Sequence, residues 1–322
     1  MKYFSISLII CLILIPPGVN ANYAKRADVK GFIDEMVEKH QFDREQLAEK
    51  FSRAKKLTDV LESIAKPAEK VLTWKQYRPI FIKEKRILLG KKFLREHKEV
   101  LQKAEDQFGV PKEIITAIIG VETYYGRYSG KYDVFDSLTT LGFDYPPRAN
   151  FFRSELEQLL LLTREEDVDI TTVRGSYAGA MGIPQFISSS YRHYAVDFDN
   201  DGKRDLWTNI DDVIGSVANY FSKHGWKKGE SVIHRVQLKK AIADIGRTNL
   251  KPGKSISEYQ KLGVVTNVSL PDEAAATLIE LEGLHGIEHW MGLKNFYVIT
   301  RYNHSALYAL AVYQLSQEIS KQ

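Results

Sequence analysis

At 322 residues, 44% hydrophobic and 27% charged, the chain can fill about two or three domains with sizeable cores. Its net charge of +4 is spread along the whole length, too weak and too even to argue for a nucleic-acid surface. The single cysteine, Cys11, lies in an apolar run at the start, so the remainder holds no disulfide, thiolate zinc site or cysteine nucleophile.

The opening "MKYFSISLIICLILIPPGVNA" pairs Lys2 with an apolar run from Phe4 to Ile15 and a small-residue site at Val19-Asn20-Ala21. The expectation is a secretory signal over residues 1–21 and a periplasmic protein; an uncleaved anchor is the alternative. Ile10 stands before Cys11 where a lipid-modified cysteine needs a small residue, which argues against a lipoprotein. Residues 22–104 read as a helical N-terminal domain, with "FIDEMVEK", "REQLAEKFSRA" and "KKFLREHKEVLQKAEDQFG" at helical spacing. Breaks are expected at Pro67 and near Pro79. Gly109 stops one helix, Pro111 opens the next, and Gly126 is expected to close it. Residues 105–228 stay mostly helical between long Gly- and Pro-bearing loops. From 229 to 291, "ESVIHRVQL", "LGVVTNVSL" and "AATLIELEG" read as strands of a small β-rich insertion. Helices return over 292–322. The class is mainly α (α+β).

In "IITAIIGVETYYG", Ile114, Ile118 and Glu122 are four apart, with Ile115 and Ile119 beside them. On a helix they share a face, so the glutamate points where the isoleucines point. A carboxylate there is costly and its pKa is expected to rise. Gly120 and Gly126 remove bulk where something can approach, and Tyr124, Tyr125, Tyr128 and Tyr132 can line a cleft. The plain alternative is a glutamate that reaches water at a helix end.

The second stretch is "GSYAGAMGIPQF", whose glycines let backbone amides come close to a ligand while Ser176 and Gln185 offer hydrogen bonds. In "DFDNDGKRDLWTNIDD", Asp197, Asp199, Asp201 and Gly202 fit the first half of an EF-hand loop, with the Lys203 carbonyl next. The twelfth position is Thr208, so the standard loop fails. The crowded carboxylates repel each other unless a cation relieves them, which favours Ca2+ over an acidic turn.

"GVETYYGRYSGKYDVFDSLTTLGFDYPPRANFF", "GSYAGAMGIPQFISSSYRHYAVDFDNDGKRDLW", "IGSVANYFSKHGW" and "FYVITRYNHSALYALAVYQL" occur together and in order. The chain closely resembles the lytic murein transglycosylase B family, most sharply from Phe108 to Trp226. The resemblance implies a lysozyme-like core in which Glu122, the glutamate of V-E-T, is the sole catalytic carboxylate. It would protonate the β-1,4 oxygen between N-acetylmuramic acid and N-acetylglucosamine. It would then take the C6 hydroxyl proton as a 1,6-anhydro sugar closes. Carried over by motif, Ser176, Gln185, Met181, Tyr220, Tyr302, Asn303 and Tyr308 line the glycan cleft. Arg148 stands where the family has two arginines; the first is Pro147 here, which removes one of the two guanidinium groups. The family's Q-F-M-P-S-S reads Q-F-I-S-S-S. A later aspartate closes the family's calcium loop, here Asp212 with Asp211 as competitor, and one such site suggests a structural Ca2+ with no organic cofactor. Peptidoglycan glycan strands are the implied partner, other cell-wall enzymes are candidates, and nucleic acid is not.

Two other classes compete. "HGIEH", 285–289, matches an inverted zinc-peptidase motif, which works only on a helix; the surrounding glycines and β-type runs speak against one. A non-catalytic wall-binding protein would keep the cleft and dispense with Glu122.

Overall fold

The computed structural model describes residues 22–65, 72–242 and 250–321. The proposed signal and Pro67 therefore lie outside the described residues. Among those described, no helix is long and apolar enough to cross a membrane.

The first long helix, Ala27–His40, buries Val29, Phe32, Ile33 and Met36, a spacing that gives one apolar face. Asp43 caps the next, Arg44–Arg53, by accepting from Gln46 N–H at 2.8 Å, and Leu47 and Phe51 face inward. These faces meet the helix Val134–Asp144: Phe32 packs on Phe143 (ring centroids 5.9 Å) and Phe51 on Phe135 (5.1 Å). Arg26 and the Tyr23 hydroxyl both bind the Asp144 carboxylate, at 2.7 and 2.5 Å. One continuous apolar cluster thus runs from Tyr23 to Ile319.

Pro79 does not break its helix, Trp74–Phe81; the chain leaves the helical path three residues later, at Ile82. A capping box of Thr73 and Gln76 opens it. Helices Glu84–Glu96 and Lys98–Phe108 follow, and Gly109 ends the second with φ 74°. Next comes Lys112–Thr123, buried at Ile114 through Val121 and at Thr123. A helix apolar all round belongs at the centre of a fold. It packs against Glu84–Glu96, Lys98–Phe108, Ile210–Lys223 and the terminal helix Ala306–Ser320.

Short strands β1 (Tyr132–Asp133) and β2 (Arg174–Gly175) pair antiparallel beside this helix. Further along, β3 (Ile233–Leu238), β4 (Lys254–Ser255), β5 (Val264–Thr266), β6 (Ala275–Gly283) and β7 (Gly286–Gly292) form an antiparallel sheet in the order β4-β6-β7-β3-β5. The sheet encloses its own small core of Val236, Ile256, Val264, Ala276, Leu278, Met291 and Leu293. "HGIEH" falls on the β6–β7 hairpin, so its two histidines lack the one-turn helical spacing a zinc site of that type needs. Helices Lys294–Tyr302 and Ala306–Ser320 then return the chain to the central helix.

Candidate active site

Glu122 is the second-last residue of the helix Lys112–Thr123 and is half-buried. The helix stops before Gly126: Tyr124 and Tyr125 already take left-handed backbone, φ 54° and 64°, ahead of Gly126 at 80°. Thr123 secures this turn. Its hydroxyl accepts from Gly126 N–H at 3.0 Å and points its proton at Ile183 O, 2.8 Å away. The end of the glutamate helix is thereby tied to the glycine-rich loop.

Gly120 has a different use from the one expected. A Cβ there would sit 2.6 Å from the Tyr125 ring, and one at Gly90 would sit 2.5 Å from its hydroxyl. The two glycines admit Tyr125, whose hydroxyl donates to Arg86 O at 2.8 Å, and not a ligand. Of the other tyrosines, Tyr124 lies under the Arg86 guanidinium (4.8 Å), Tyr128 is exposed, and Tyr132 donates to Asp59 at 2.9 Å.

Tyr308, in the first turn of Ala306–Ser320 and only 3% exposed, donates a short hydrogen bond to Glu122 Oε1. Ser305 caps that turn by accepting from Tyr308 N–H at 3.2 Å. Tyr302 ends the preceding helix and donates to Pro184 O at 2.6 Å. Burial, and after it the charge of Glu122, drives both phenols well above their ordinary range. They remain donors at any working pH. Tyr77, buried on the helix Trp74–Phe81, is another of the groups facing Tyr308.

The loop 175–186 is stitched to itself. Met181 bridges both Gly175 and Phe186, and the amides of Ser176, Met181 and Gln185 are taken by Ala180 O, Phe186 O and Gly182 O. A Cβ at Gly175 would stand 2.2 Å from Ala180 O, and one at Gly182 would stand 2.6 Å from Leu206 O. Its glycines therefore serve close packing of the loop rather than approach of a ligand to free amides. Ser176 Oγ accepts from the amides of Ala178 and Ala180 (3.3 and 3.1 Å) and is half-buried. Gln185, at φ 53°, donates to Ser129 O and Gly182 O (3.0 and 2.9 Å). Met181 is fully buried beneath the loop.

Tyr220 is also buried, with its hydroxyl on Arg301 O at 2.6 Å and its ring 4.8 Å from that of Tyr302. Asn303, half-buried, follows Tyr302 and takes Ser305 N–H on its carbonyl at 2.7 Å. Glu122, Tyr302 and Tyr308 thus converge, and Tyr220 braces Tyr302. Arg148 stands apart, on the turn Pro146–Arg148, over Phe151 (4.3 Å) and Phe152 (5.1 Å) beside a surface pocket that also includes Asp28 and Gly142.

At the acidic loop, carboxylate oxygens of Asp197, Asp199 and Asp212 lie within 4.8 Å of one another. Asp212 is fully buried at the start of the helix Ile210–Lys223, accepting from Phe198 and Asp205 amides (2.7 and 2.8 Å). Burial pushes its carboxyl up, and the charges of Asp199 and Asp197 add to this. Asp211, one residue earlier, is not in the group. Asp201 is exposed; its carboxylate accepts Lys203 N–H at 2.9 Å and is outside the trio. Three hard oxygen donors, two of whose charges oppose ionisation of the buried Asp212, suit a divalent cation.

Two residues here escaped the sequence reading. Thr123 carried a faint signal, a hydroxyl beside the glutamate at a helix end. Tyr77 carried none, being one aromatic of a core stripe.

The chain matches the Transglycosylase SLT domain family over residues 24–317. It is 42% identical over 311 residues to membrane-bound lytic murein transglycosylase B of Escherichia coli K12, covering 94% of this chain and 85% of that one. Soluble lytic transglycosylase SltB1 of Pseudomonas aeruginosa superposes with a TM-score of 0.86 at 50% identity, covering 91% of this chain and 98% of the other. The E. coli lytic transglycosylase Slt35, solved in complex with calcium, superposes with a TM-score of 0.85 at 43% identity over 94% and 96%. The mainly α, lysozyme-like architecture is common to these structures.

Proposed function

Because this chain belongs to the Transglycosylase SLT domain family and is a lytic transglycosylase acting on peptidoglycan, we propose that Glu122 alone performs both proton transfers of its reaction. A protonated Glu122 gives its proton to the glycosidic oxygen between N-acetylmuramic acid and N-acetylglucosamine, and the bond to C1 breaks. The resulting carboxylate takes the proton of the muramoyl C6 hydroxyl as that oxygen closes on C1. The products are a free 4-hydroxyl and a 1,6-anhydro end, with no water consumed. Ordinary glycosidases need a second carboxylate as nucleophile or base. Here the substrate supplies the nucleophile.

The observation that carries this reading is a carboxyl at the end of a buried helix, fixed by a phenol. Asp133 and Asp136, the nearest acids along the following segment, are engaged by Arg174 (3.1 Å) and by Lys55 N–H (2.9 Å). Tyr308 donates to Oε1 and so holds the carboxyl that gives and takes back the proton. Ser176, Gln185 and Asn303 are the polar contacts for the glycan. Met181, Tyr220 and Tyr302 act from beneath, and Arg148 reaches the substrate only at its periphery. Asp197, Asp199 and Asp212 would hold a structural Ca2+, with Asp201 and the Lys203 carbonyl as further ligands; the Slt35 calcium complex supports this choice of ion. We infer a periplasmic reaction from the apolar opening of the sequence together with the wall substrate.

Mass spectrometry of purified wall digested by the protein tests the chemistry: anhydro-ended fragments support it, whereas reducing ends indicate hydrolysis. Glu122→Gln is nearly isosteric and should fold and bind glycan while losing about 10⁴-fold or more in rate. A folded variant releasing anhydro fragments near the wild-type rate would remove Glu122 from the mechanism.

A further inference from the structure

The β6–β7 hairpin closes with Gly283 opposite Gly286, leaving Leu284 and His285 as its turn. Turns of this length favour Asn, Asp and Gly. With Gly286 supplying the positive φ (118°), the backbone has no need of leucine. Yet Leu284 is 66% exposed and Ile287 beside it 54%.

The same end of the sheet carries more of this character. β3 pairs Val236 with His289, then runs on to Lys239, whose N–H donates to Gly263 O at 2.9 Å. Leu262, next to Gly263, is 37% exposed. Two strand spacings set β5 roughly 10 Å from β7. Lys239, Lys240 and Lys261 are all exposed here. Among the described acids of β6 and β7, Glu288 faces Arg235 (3.8 Å) and Glu280 faces His289 (3.4 Å), while Glu282 is exposed.

We propose that this end of the sheet docks on an anionic phospholipid surface, with Leu284 and Ile287 entering the headgroup layer and the lysines meeting lipid phosphates. Three apolar side chains make far too small a patch for a stable protein interface, which needs roughly 1,000 Å² or more. They suit the boundary between headgroups and acyl chains, where nearby ammonium groups add attraction to anionic lipid. Docking there would hold a wall-cleaving enzyme against the membrane face of its substrate layer.

The test uses the chain from residue 22 onward, so that the apolar run at 4–15 takes no part; every described buried core residue lies at or beyond Tyr23. It is sedimented with vesicles of phosphatidylglycerol and phosphatidylcholine, and with phosphatidylcholine alone. The wild type should bind the anionic vesicles and release in about 0.5 M salt. Leu284→Asp with Ile287→Asp, and separately Lys239→Glu with Lys240→Glu, should each weaken binding about tenfold or more. Circular dichroism and cleavage of soluble glycan should not change. Wild type that stays in the supernatant, or an aspartate pair that binds as before, overturns the proposal. So does dimerisation abolished by the aspartate pair without vesicle binding, since the occupant is then a second copy of the chain.

Discussion

Tyr308→Phe isolates the phenol that holds the glutamate. The ring is 3% exposed and phenylalanine keeps its packing, so the change removes one hydroxyl and one hydrogen bond to Glu122 Oε1. A bond to a neutral acceptor is worth about 0.5–1.5 kcal/mol and one to a charged acceptor about 1.5–3. Glu122 is neutral before it gives up its proton and charged afterwards, so the bond strengthens as the glycosidic bond breaks. The difference, about 1–1.5 kcal/mol, corresponds to a roughly tenfold fall in kcat. KM should hardly move, because Tyr308 is buried behind the acid. Stability should fall by no more than about 1 kcal/mol, since the half-buried Glu122 can turn to water for the lost donor. Release of anhydro-muropeptides, followed at several substrate concentrations, separates kcat from KM. Wild-type kcat in a folded variant would refute the idea that the bond grows along the reaction; a loss confined to KM would mean that Tyr308 acts on the glycan instead.

Gly120→Ala drives a methyl to 2.6 Å from the Tyr125 ring and should cost about 1–3 kcal/mol in chemical denaturation, with activity falling as the helix end shifts; unchanged stability would mean the ring has room to move. Calcium in large excess should raise Tm by about 5 °C, and Asp199→Ala should abolish the rise; a flat Tm across millimolar calcium removes the site. Asp144 is opposed by its burial, but the Tyr23 hydroxyl and Arg26 together hold its carboxyl below the usual carboxylate range. A depressed folded pKa gives stability that is present above the unfolded value and lost as pH falls through the folded one. Asp144→Asn should therefore destabilise at pH 7, with the gap to wild type closing below about pH 3.8 in urea titrations; a gap constant with pH would show that charge is not what the site uses.

Local pattern sufficed wherever neighbours along the chain set the outcome. The 3.6-residue spacing of Val29, Phe32, Ile33 and Met36 marked a helix face, Gly109 and Pro111 punctuated two helices, and β-type runs marked β3, β5 and β6. Of the alternating aspartates, Asp197 and Asp199 do come together, whereas Asp201 stands outside their group. Family resemblance, rather than periodicity, singled out Glu122 and the residues around it. Tertiary structure decided what those residues touch. Gly120 looked like an opening for substrate, yet the ring that enters it comes from five residues along, turned back by two left-handed tyrosines. Met181 and Tyr220 read as cleft residues but lie buried beneath it. Asp212 and Asp211 are adjacent in sequence, and the turn of a helix buries one beside Asp197 and Asp199 while excluding the other. The donor to Glu122 comes from 186 residues away. Periodicity reports which face of an element is buried, whereas the partner on that face is set only when distant segments pack into one close-filled interior.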